Sequence, residues 1–234
     1  MIDEAESGLA PRRRNLYGRR RGRRLRPRMR MLVTEHLPRL SLSSEERDDP
    51  PASLFPHPVD DVWVEIGFGG GEHLAHMAEA HPEIGFIGSE PFMEGTAKLV
   101  AVAADRGLDN LRLWPDDARD LLERLPTASI GRCYILFPDP WPKARHHRRR
   151  IVSPETIADL ARVLVPGGLL RLATDHMGYC RWMLAHLIGH PDFAWTARRP
   201  ADWRERPAEA VATRYEEKAR AAGRTPAFLE FRRL

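Results

Sequence analysis

Short apolar runs alternate with stretches of helical periodicity from about residue 59 to the C-terminus. The apolar runs, four to seven residues long, predict buried strands, and the amphipathic stretches predict helices. The predicted strands are 62–67, 84–90, 111–114, 132–137, 169–174, 193–196 and 227–231. The predicted helices are 72–81, one that ends near 106, 118–125, 154–164, 177–188 and 215–222. This alternation predicts an α/β fold, a mostly parallel sheet with helices on both faces.

Residues 1–58 do not follow this alternation. Eleven arginines and no acidic residue lie between residues 12 and 30, so the rest of the chain is net negative although the total charge is +4. We expect residues 1–30 to form a disordered, arginine-rich arm that is attracted to nucleic acid. A solubility tail without a partner is the alternative. Residues 31–58 are expected to form a short N-terminal strip and an acidic, proline-rich linker, and residues 59–234 the compact domain.

Composition narrows the class of protein. A chain of 234 residues with 42% hydrophobic residues is large enough for one domain with an ordinary core. No apolar run in it approaches the roughly 20 residues that span a bilayer. The two cysteines, Cys133 and Cys180, and the histidines lack disulfide or metal-site spacing. We therefore expect a cytoplasmic protein with no membrane segment and no metal. The sequence does not determine the oligomeric state, for which a monomer or a weak homodimer is our expectation.

Acidic residues stand at or just beyond the ends of successive predicted strands. They are Glu65, Glu90, Asp117 with its neighbour Asp116, Asp139 and Asp175. In doubly wound sheets, ligands bind outside the carboxyl ends of the strands. The sequence therefore predicts one ligand site lined by these carboxylates.

The turn after the first strand reads EIGFGGG, with glycines at Gly67, Gly69 and Gly71. Glycines let the backbone adopt positive φ and let a ligand come close, and the following helix offers unpaired N–H groups. Glu90, nineteen residues after Gly71, is suited to accept hydrogen bonds from both hydroxyls of a ribose. Together these features predict a nucleoside-containing cofactor. A tight turn without a ligand is the alternative for the glycines alone.

The acid at Glu65 discriminates between nucleoside cofactors. A carboxylate just before the turn would repel a pyrophosphate, which disfavours NAD. S-adenosylmethionine has no phosphate and carries a sulfonium and an ammonium, so the pattern E-x-G-x-G-x-G favours it. A carboxylate at Asp117, the third strand end, could accept from the adenine amino group.

The fourth predicted strand runs into FPDPWPKARHHRRR, residues 137–150. Asp139 lies between two prolines, which fix the backbone and present the carboxylate. Five Lys or Arg residues, two His residues and no acid follow between Lys143 and Arg150. This charge pattern is typical of a strip that contacts phosphates, with a solvated basic loop as the alternative.

Several motifs resemble those of the TrmB-type tRNA (guanine-N7)-methyltransferase family. They are VEIGFGGGEHL, GSE, DDA, LFPDPWPKARHHRRRIV, ATDHMGY and TRYEEKARAAG, and they extend from about Val62 to the C-terminus. The segment PDPWPKARHHRRR is the most family-specific of them. The resemblance implies a Rossmann-like, seven-stranded class I methyltransferase fold. It also implies S-adenosylmethionine as methyl donor and the variable-loop guanine at position 46 of tRNA as acceptor.

The resemblance also implies roles for single residues. Cofactor contacts fall on Glu65, Glu90, Asp117 and Asp139, beside the glycine turn, and Asp139 is the catalytic residue. Substrate contacts fall on Lys143, Asp175, Thr213, Arg214, Tyr215 and Glu216. The RNA-contacting strip is Arg145, His146, His147, Arg148, Arg149 and Arg150. The chain departs from the family pattern in TRYE for TKFE, in Pro142, Pro91 and Phe92, and in Arg224 where a histidine is frequent.

Structural roles are open for several of these residues. Asp139 could cap its own turn, and Asp175 could cap the helix predicted to start at Met177. Thr213 and Glu216 have the spacing of a capping box.

Two other functions stay open. A small-molecule methyltransferase would need no basic strip, and a noncatalytic RNA-binding module would not need carboxylates at successive strand ends.

Overall fold

The computed structural model describes residues 16–18, 20, 22, 24–42 and 50–234. Its strands are β1 (Asp61–Ile66), β2 (Ile84–Ser89), β3 (Leu111–Trp114), β4 (Ile130–Leu136), β5 (Leu164–Thr174), β6 (Phe193–Trp195) and β7 (Ala227–Arg233). They form one seven-stranded sheet in the order β3-β2-β1-β4-β5-β7-β6. Strand β7 is antiparallel to β5 and β6, whereas the other neighbouring pairs are parallel. The predicted Rossmann-like fold is confirmed.

Helices cover both faces of this sheet. They are α1 (Pro27–Leu40), α2 (Glu72–Ala80), α3 (Met93–Arg106), α4 (Ala118–Arg124), α5 (Pro154–Val163), α6 (Met177–Leu187), α7 (Ala201–Arg204) and α8 (Arg214–Ala221). One core cluster joins α2, α3 and the end of α1 to the sheet. A second core cluster joins α4, α5 and α6 to the opposite face. The α7–α8 region lies between β6 and β7 in the chain.

The side chains of β1 alternate between the two cores. Val64 and Ile66 belong to the cluster with α4–α6, whereas Trp63 belongs to the cluster with α2 and α3. Because successive side chains of a strand point to opposite faces, Glu65 lies on the α2 side. The strand is almost fully buried, as expected for a central parallel strand. This alternation determines which side chains at the end of the strand face the ligand site.

Local signals set the helix boundaries. The hydroxyl of Ser153 accepts from the Thr156 amide at 3.3 Å at the start of α5, and Pro154 takes the first helical position. Helix α1 likewise starts at a proline, Pro27. It therefore begins inside the range predicted to be a disordered arm, and the predicted boundary at residue 30 is too late. The part of that prediction that covers residues 1–15 lies outside the described residues.

The predicted linker is partly packed on the domain. Residues 43–49 lie outside the described residues, but a 3-10 helix follows at Pro51–Leu54. The Phe55 ring is buried against Gly85, where an added Cβ would lie 2.3 Å from a ring carbon. Gly85 therefore leaves room for the ring on the sheet. None of the described helices is long and apolar enough to cross a membrane.

Candidate functional site

A cavity of about 570 Å³ opens at the carboxyl ends of β1, β2, β3 and β4. The segments after these strands supply most of its wall, as the strand-end rule predicts. Residues with candidate roles in the wall are Gly67, Gly69, Glu90, Asp117, Asp139, Trp141, Arg149, Arg214 and Tyr215. Three residues of the N-terminal segment, Leu16, Tyr17 and Gly18, also line it.

The glycine turn has the backbone that the sequence predicts. Gly67, Gly69 and Gly71 have φ values of 74°, 57° and 81°, in the left-handed region. Close packing adds a second requirement, because a Cβ on Gly95 of α3 would lie 2.1 Å from the Gly69 carbonyl oxygen. Gly67 and Gly69 line the cavity. The turn is held by protein acceptors, because the Gly67 amide donates to the Ser89 carbonyl oxygen and the Gly71 amide to the Phe68 carbonyl oxygen.

Glu90 joins this turn to the end of β2. Its Oε2 accepts from the Gly69 amide and its Oε1 from the Phe92 amide, each at 2.9 Å. Burial raises the pKa of Glu90, the charges of Asp139 and Glu65 add to that shift, and the two amide bonds oppose it. A carboxylate oxygen that holds one N–H keeps a lone pair for a ligand hydroxyl. Glu90 can thus both shape the turn and bind a ribose.

Asp117 lines the cavity but has a structural task as well. It is the N-cap of α4, with Oδ1 accepting from the Arg119 amide at 3.0 Å. The Arg119 guanidinium also pairs with its carboxylate at 2.5 Å. A ligand at this strand end therefore meets a carboxylate that is already fixed in place.

The carboxylate of Glu65, a predicted cofactor contact, lies behind the residues that line the cavity. Glu65 is 2% exposed and accepts a hydrogen bond from Nδ1 of His73 at 2.8 Å, below the glycine turn. The pleat of β1 directs its side chain to the α2 side, whereas Ile66 and Gly67 reach the cavity. Sequence reasoning missed His73, whose signal was its place in the first turn of α2, eight residues after Glu65.

Asp139 stands at the rim of the cavity with an exposed carboxylate. Its loop is strained, because Phe137 and Trp141 have φ values of 53° and 41°, which non-glycine residues rarely adopt. The charge of Asp139 raises the pKa values of both Glu90 and Tyr215, after burial as the main cause. No hydrogen bond joins its carboxylate to another described residue, so the turn-capping alternative has no support in the geometry.

The predicted basic strip forms a 3-10 helix, Ala144–Arg149. Lys143, Arg145 and Arg148 are exposed. The two histidines contact aromatic rings, His146 that of Trp141 and His147 that of Trp182. Partial burial and the neighbouring cations lower the pKa of His146, so it adds little positive charge at neutral pH. The exposed arginines and the lysine therefore carry most of the strip's available charge.

Arg150 corrects the prediction that all six strip residues contact RNA. It is 5% exposed, and its Nε donates to the Pro140 carbonyl oxygen at 2.9 Å. Its guanidinium lies over the rings of Tyr179 and Trp182. Arg150 is turned inward because these rings and the carbonyl bind it, and it holds the loop that carries Asp139.

The four residues predicted from TRYE divide between two cavities. Arg214 and Tyr215 line the cavity at the strand ends. Thr213 and Glu216 line a second cavity of about 370 Å³ beside β4, β5 and β7. Thr213 is the N-cap of α8 and accepts from the Glu216 amide at 3.2 Å. The capping alternative is therefore confirmed for Thr213.

Glu216 and Asp175 are both held by arginines. Glu216, 1% exposed, accepts from Arg220 at 2.9 Å and lies 3.5 Å from the Arg206 Nε. Asp175 accepts from the Arg224 Nε at 2.6 Å. The N-cap of α6 is His176, so Asp175 does not cap this helix. Arg224, where the family often has a histidine, thus fixes Asp175 at the strand-end edge.

The residues around the cavity fit S-adenosylmethionine. Among the described lining residues, the acids Glu72, Glu90, Glu94, Asp117 and Asp139 outnumber the cations Lys98, Arg149 and Arg214. An acidic wall suits the sulfonium and ammonium of this molecule and would repel a pyrophosphate. Its one carboxylate needs a donor, and the buried Nε of Arg149 has no hydrogen-bond partner among the described residues. The described residues contain no cluster of three or more metal-ligating side chains.

Comparison with known proteins supports this assignment. A family model described as "Putative methyltransferase" matches residues 60–229. The tRNA (guanine-N(7)-)-methyltransferase of Rhodospirillum rubrum is 54% identical over 222 residues, 93% of this chain and 87% of that protein. The protein of the same name from Ruegeria pomeroyi is 46% identical over 230 residues, 95% of each chain.

The fold is also similar to solved structures. A crystal structure of an rRNA methylase from Streptococcus thermophilus superimposes with a TM-score of 0.52 and 17% identity, and covers 79% of this chain and 92% of that one. At this identity the similarity concerns the fold alone. The matched family model and the relatives above, which share about half their residues with this chain over nearly its whole length, decide the family. The chain belongs to the tRNA (guanine-N(7)-)-methyltransferase family.

Proposed function

We propose that this protein transfers the methyl group of S-adenosylmethionine to N7 of the guanine at position 46, in the variable loop of tRNA. The loop after β4 carries the proposal. It places Asp139 at the cavity and the exposed cations Lys143, Arg145 and Arg148 outside it, within ten residues of chain. A reacting site and a phosphate-binding surface thus share one segment.

The cofactor would be held by the glycine turn and two strand-end acids. Glu90 would accept from the ribose hydroxyls, next to the amides that it already binds. Asp117 and Ala118 would border the adenine, and Arg149 would donate to the methionine carboxylate. When bound, S-adenosylmethionine supplies a methyl group that its positively charged sulfur makes electrophilic. Glu65 would act indirectly, because its hydrogen bond with His73 stabilises the glycine turn from beneath.

The acceptor needs alignment and not deprotonation. N7 of guanine carries a lone pair in the plane of the ring and no proton, so no side chain has to act as a base. Asp139 can accept hydrogen bonds from the guanine N1 and N2 donors, or from the methionine ammonium. Bound to guanine, its negative charge would stabilise the positive charge that develops on the purine, and bound to the ammonium it would hold the methyl donor in position. The chain therefore contributes position and electrostatics.

The loop geometry keeps Asp139 in position. Pro138 and Pro140 restrict the backbone on both sides. Arg150 fastens the far side of the loop by its bond to the Pro140 carbonyl oxygen and its contacts with buried rings. We assign Arg150 a positioning role in place of the RNA contact that its sequence position implied.

Aromatic rings at the rim can receive the base. Tyr215 is 49% exposed, and its ring covers Gly69, where a Cβ would lie 3.0 Å from a ring carbon. Trp141 also lines the cavity. Proteins commonly stack unpaired RNA bases on such side chains. We propose Tyr215 and Arg214 as direct substrate contacts. The residues that would stabilise the conformation of the substrate-binding region are Thr213, Glu216 and Asp175.

Binding of tRNA would use the exposed cations of the strip. Each phosphate that Lys143, Arg145 or Arg148 contacts would release counterions and contribute to salt dependence. Cytoplasmic action is part of the proposal, because the two cysteines are free and buried, as in proteins of reducing compartments. A monomer or a weak homodimer is proposed as its working form.

A paired tRNA substrate tests the acceptor position. Unmodified tRNA transcripts with G46 or A46 are incubated with labelled S-adenosylmethionine, and aniline cleavage then maps N7-methylguanine. We expect label and cleavage at position 46 in the first transcript and neither in the second. Equal methylation of the A46 transcript would refute the position but leave the N7 activity in place.

The methylation assay, combined with measurements of S-adenosylhomocysteine binding and tRNA binding, separates the rival functions. A small-molecule methyltransferase would bind S-adenosylhomocysteine and leave both transcripts unlabelled. An RNA-binding module would retain tRNA on a filter but show no heat of binding with S-adenosylhomocysteine.

A further inference from the structure

The N-terminal segment takes part in the cofactor cavity. Leu16, Tyr17 and Gly18 line it, although they belong to a stretch that the sequence predicts to be a disordered arm. They face a wall built by residues that lie far away in the chain, from Gly67 to Tyr215. A segment that served only as a nucleic-acid-binding tail would not need this position.

Tyr17 anchors one end of the segment. The Arg149 guanidinium lies 4.9 Å from the centre of the Tyr17 ring and 4.9 Å from that of Trp141. The cation is therefore in contact with two aromatic rings, one from the arm and one from the Asp139 loop. Such contacts are stronger where water is excluded.

A second anchor lies on the other side of the cavity. The side chain of Arg20 pairs with Asp116 at 2.6 Å, next to the cavity residue Asp117. The Met93 amide donates to the Arg20 carbonyl oxygen at 3.2 Å. Gly22 packs so closely on Phe92 that a Cβ would lie 2.9 Å from the ring. Charge, backbone and packing thus dock the segment beside the loop that follows β2.

We propose that this N-terminal segment is the outer wall of the cofactor cavity, and that Tyr17 is the positioning residue that holds Arg149 against Trp141. Arg149 then directs its unpartnered Nε toward the methionine end of the cofactor. Cofactor release is then expected to be faster when the contact between Tyr17 and Arg149 is lost, because Tyr17 and Arg149 both line the cavity. The inference rests on the proposed function only in assigning the cavity to S-adenosylmethionine.

The test measures cofactor dissociation with the full-length chain. Rates of S-adenosylhomocysteine release are compared for the native protein, Tyr17→Ala, Tyr17→Phe and Arg28→Ala. Tyr17→Ala is expected to release the ligand about three- to thirty-fold faster, which corresponds to the loss of one cation–π contact. Tyr17→Phe keeps the ring and should stay within about twofold of the native rate. Arg28 pairs with Asp105 on the surface and should have no effect on release.

Each outcome decides the proposal. Faster release by Tyr17→Ala, restored in Tyr17→Phe, with an unchanged melting temperature of the ligand-free protein, supports the wall. A native release rate for Tyr17→Ala overturns it. Faster release together with a lower melting temperature of the ligand-free protein also overturns it. A native protein that binds no S-adenosylhomocysteine would instead overturn the assignment of the cavity, so the two failures are distinguishable.

Discussion

The carboxylate of Glu65 accepts a hydrogen bond from Nδ1 of His73 at 2.8 Å, and each side chain is 3% exposed. The pair joins the end of β1 to the first turn of α2 beneath the glycine turn. The acid of the E-x-G-x-G-x-G motif therefore fixes the strand end that precedes the glycine turn. A buried carboxylate requires such a partner, because the charge has lost its water.

Replacing His73 by leucine should leave the Glu65 carboxylate buried without its partner. We expect the free energy of unfolding to fall by about 3–5 kcal/mol, the usual cost of breaking a buried pair from one side. Urea denaturation of the ligand-free protein measures this. His73→Asn, which can place an N–H near the Nδ1 position, should recover part of the loss. The half-buried His76 on the same helix provides a control, and an equal loss for His76→Leu would contradict the role of the pair.

Asp139→Asn should reduce turnover on tRNA by about a hundredfold or more, because a preorganised charge at the reacting centre is lost. Single-turnover methylation measures the rate, and calorimetry with S-adenosylhomocysteine measures whether the cavity survives. Asp105→Asn, at an exposed position of α3, is the matched control. A near-native rate for Asp139→Asn would rule out its catalytic role.

Arg145→Ala and Arg148→Ala should each weaken tRNA binding. Each lost phosphate contact is expected to lower the slope of log K against log salt by about one unit. Filter binding over a series of KCl concentrations gives the slopes. Unchanged slopes in both variants would show that the exposed strip does not contact phosphate.

Arg150→Ala should have a different signature from its exposed neighbours. It removes a buried cation that binds the Pro140 carbonyl oxygen, so the Asp139 loop should lose its position. We expect a lower single-turnover rate and a lower melting temperature, with the salt slope of tRNA binding unchanged. A slope reduced as in Arg148→Ala would place Arg150 at the RNA after all.

Glu90 should make stability depend on pH. Burial raises its pKa above the ordinary value of 4.5, so the folded state holds the proton more tightly than the unfolded state does. The native protein should therefore lose stability relative to Glu90→Gln as pH rises from about 4.5 through the raised pKa. The difference should be constant at higher pH. Urea denaturation of both proteins across this range measures it, and a pH-independent difference would contradict the raised pKa.

Much of the fold follows from local pattern. The alternation of apolar runs with amphipathic stretches predicted all seven strands, because burial on both faces leaves a continuous apolar signature. The backbone conformation of the glycine turn was equally predictable, since only glycine adopts positive φ at three alternate positions without strain. Glu90 and Asp139 could be placed at one cavity because parallel strands end at one edge of the sheet.

The sequence by itself thus determined the fold class, the edge of the sheet that carries the cavity and the loop where carboxylate and cations meet. Only the tertiary structure decided the direction of single side chains. The pleat of β1 turns Glu65 to His73, buried rings draw Arg150 inward, and α8 divides Thr213 from Tyr215. It also decided that Tyr17 lies at the cavity, since its partners come from a distant loop. Spacing along a chain encodes periodicity, whereas the partner of a side chain depends on residues that folding brings together.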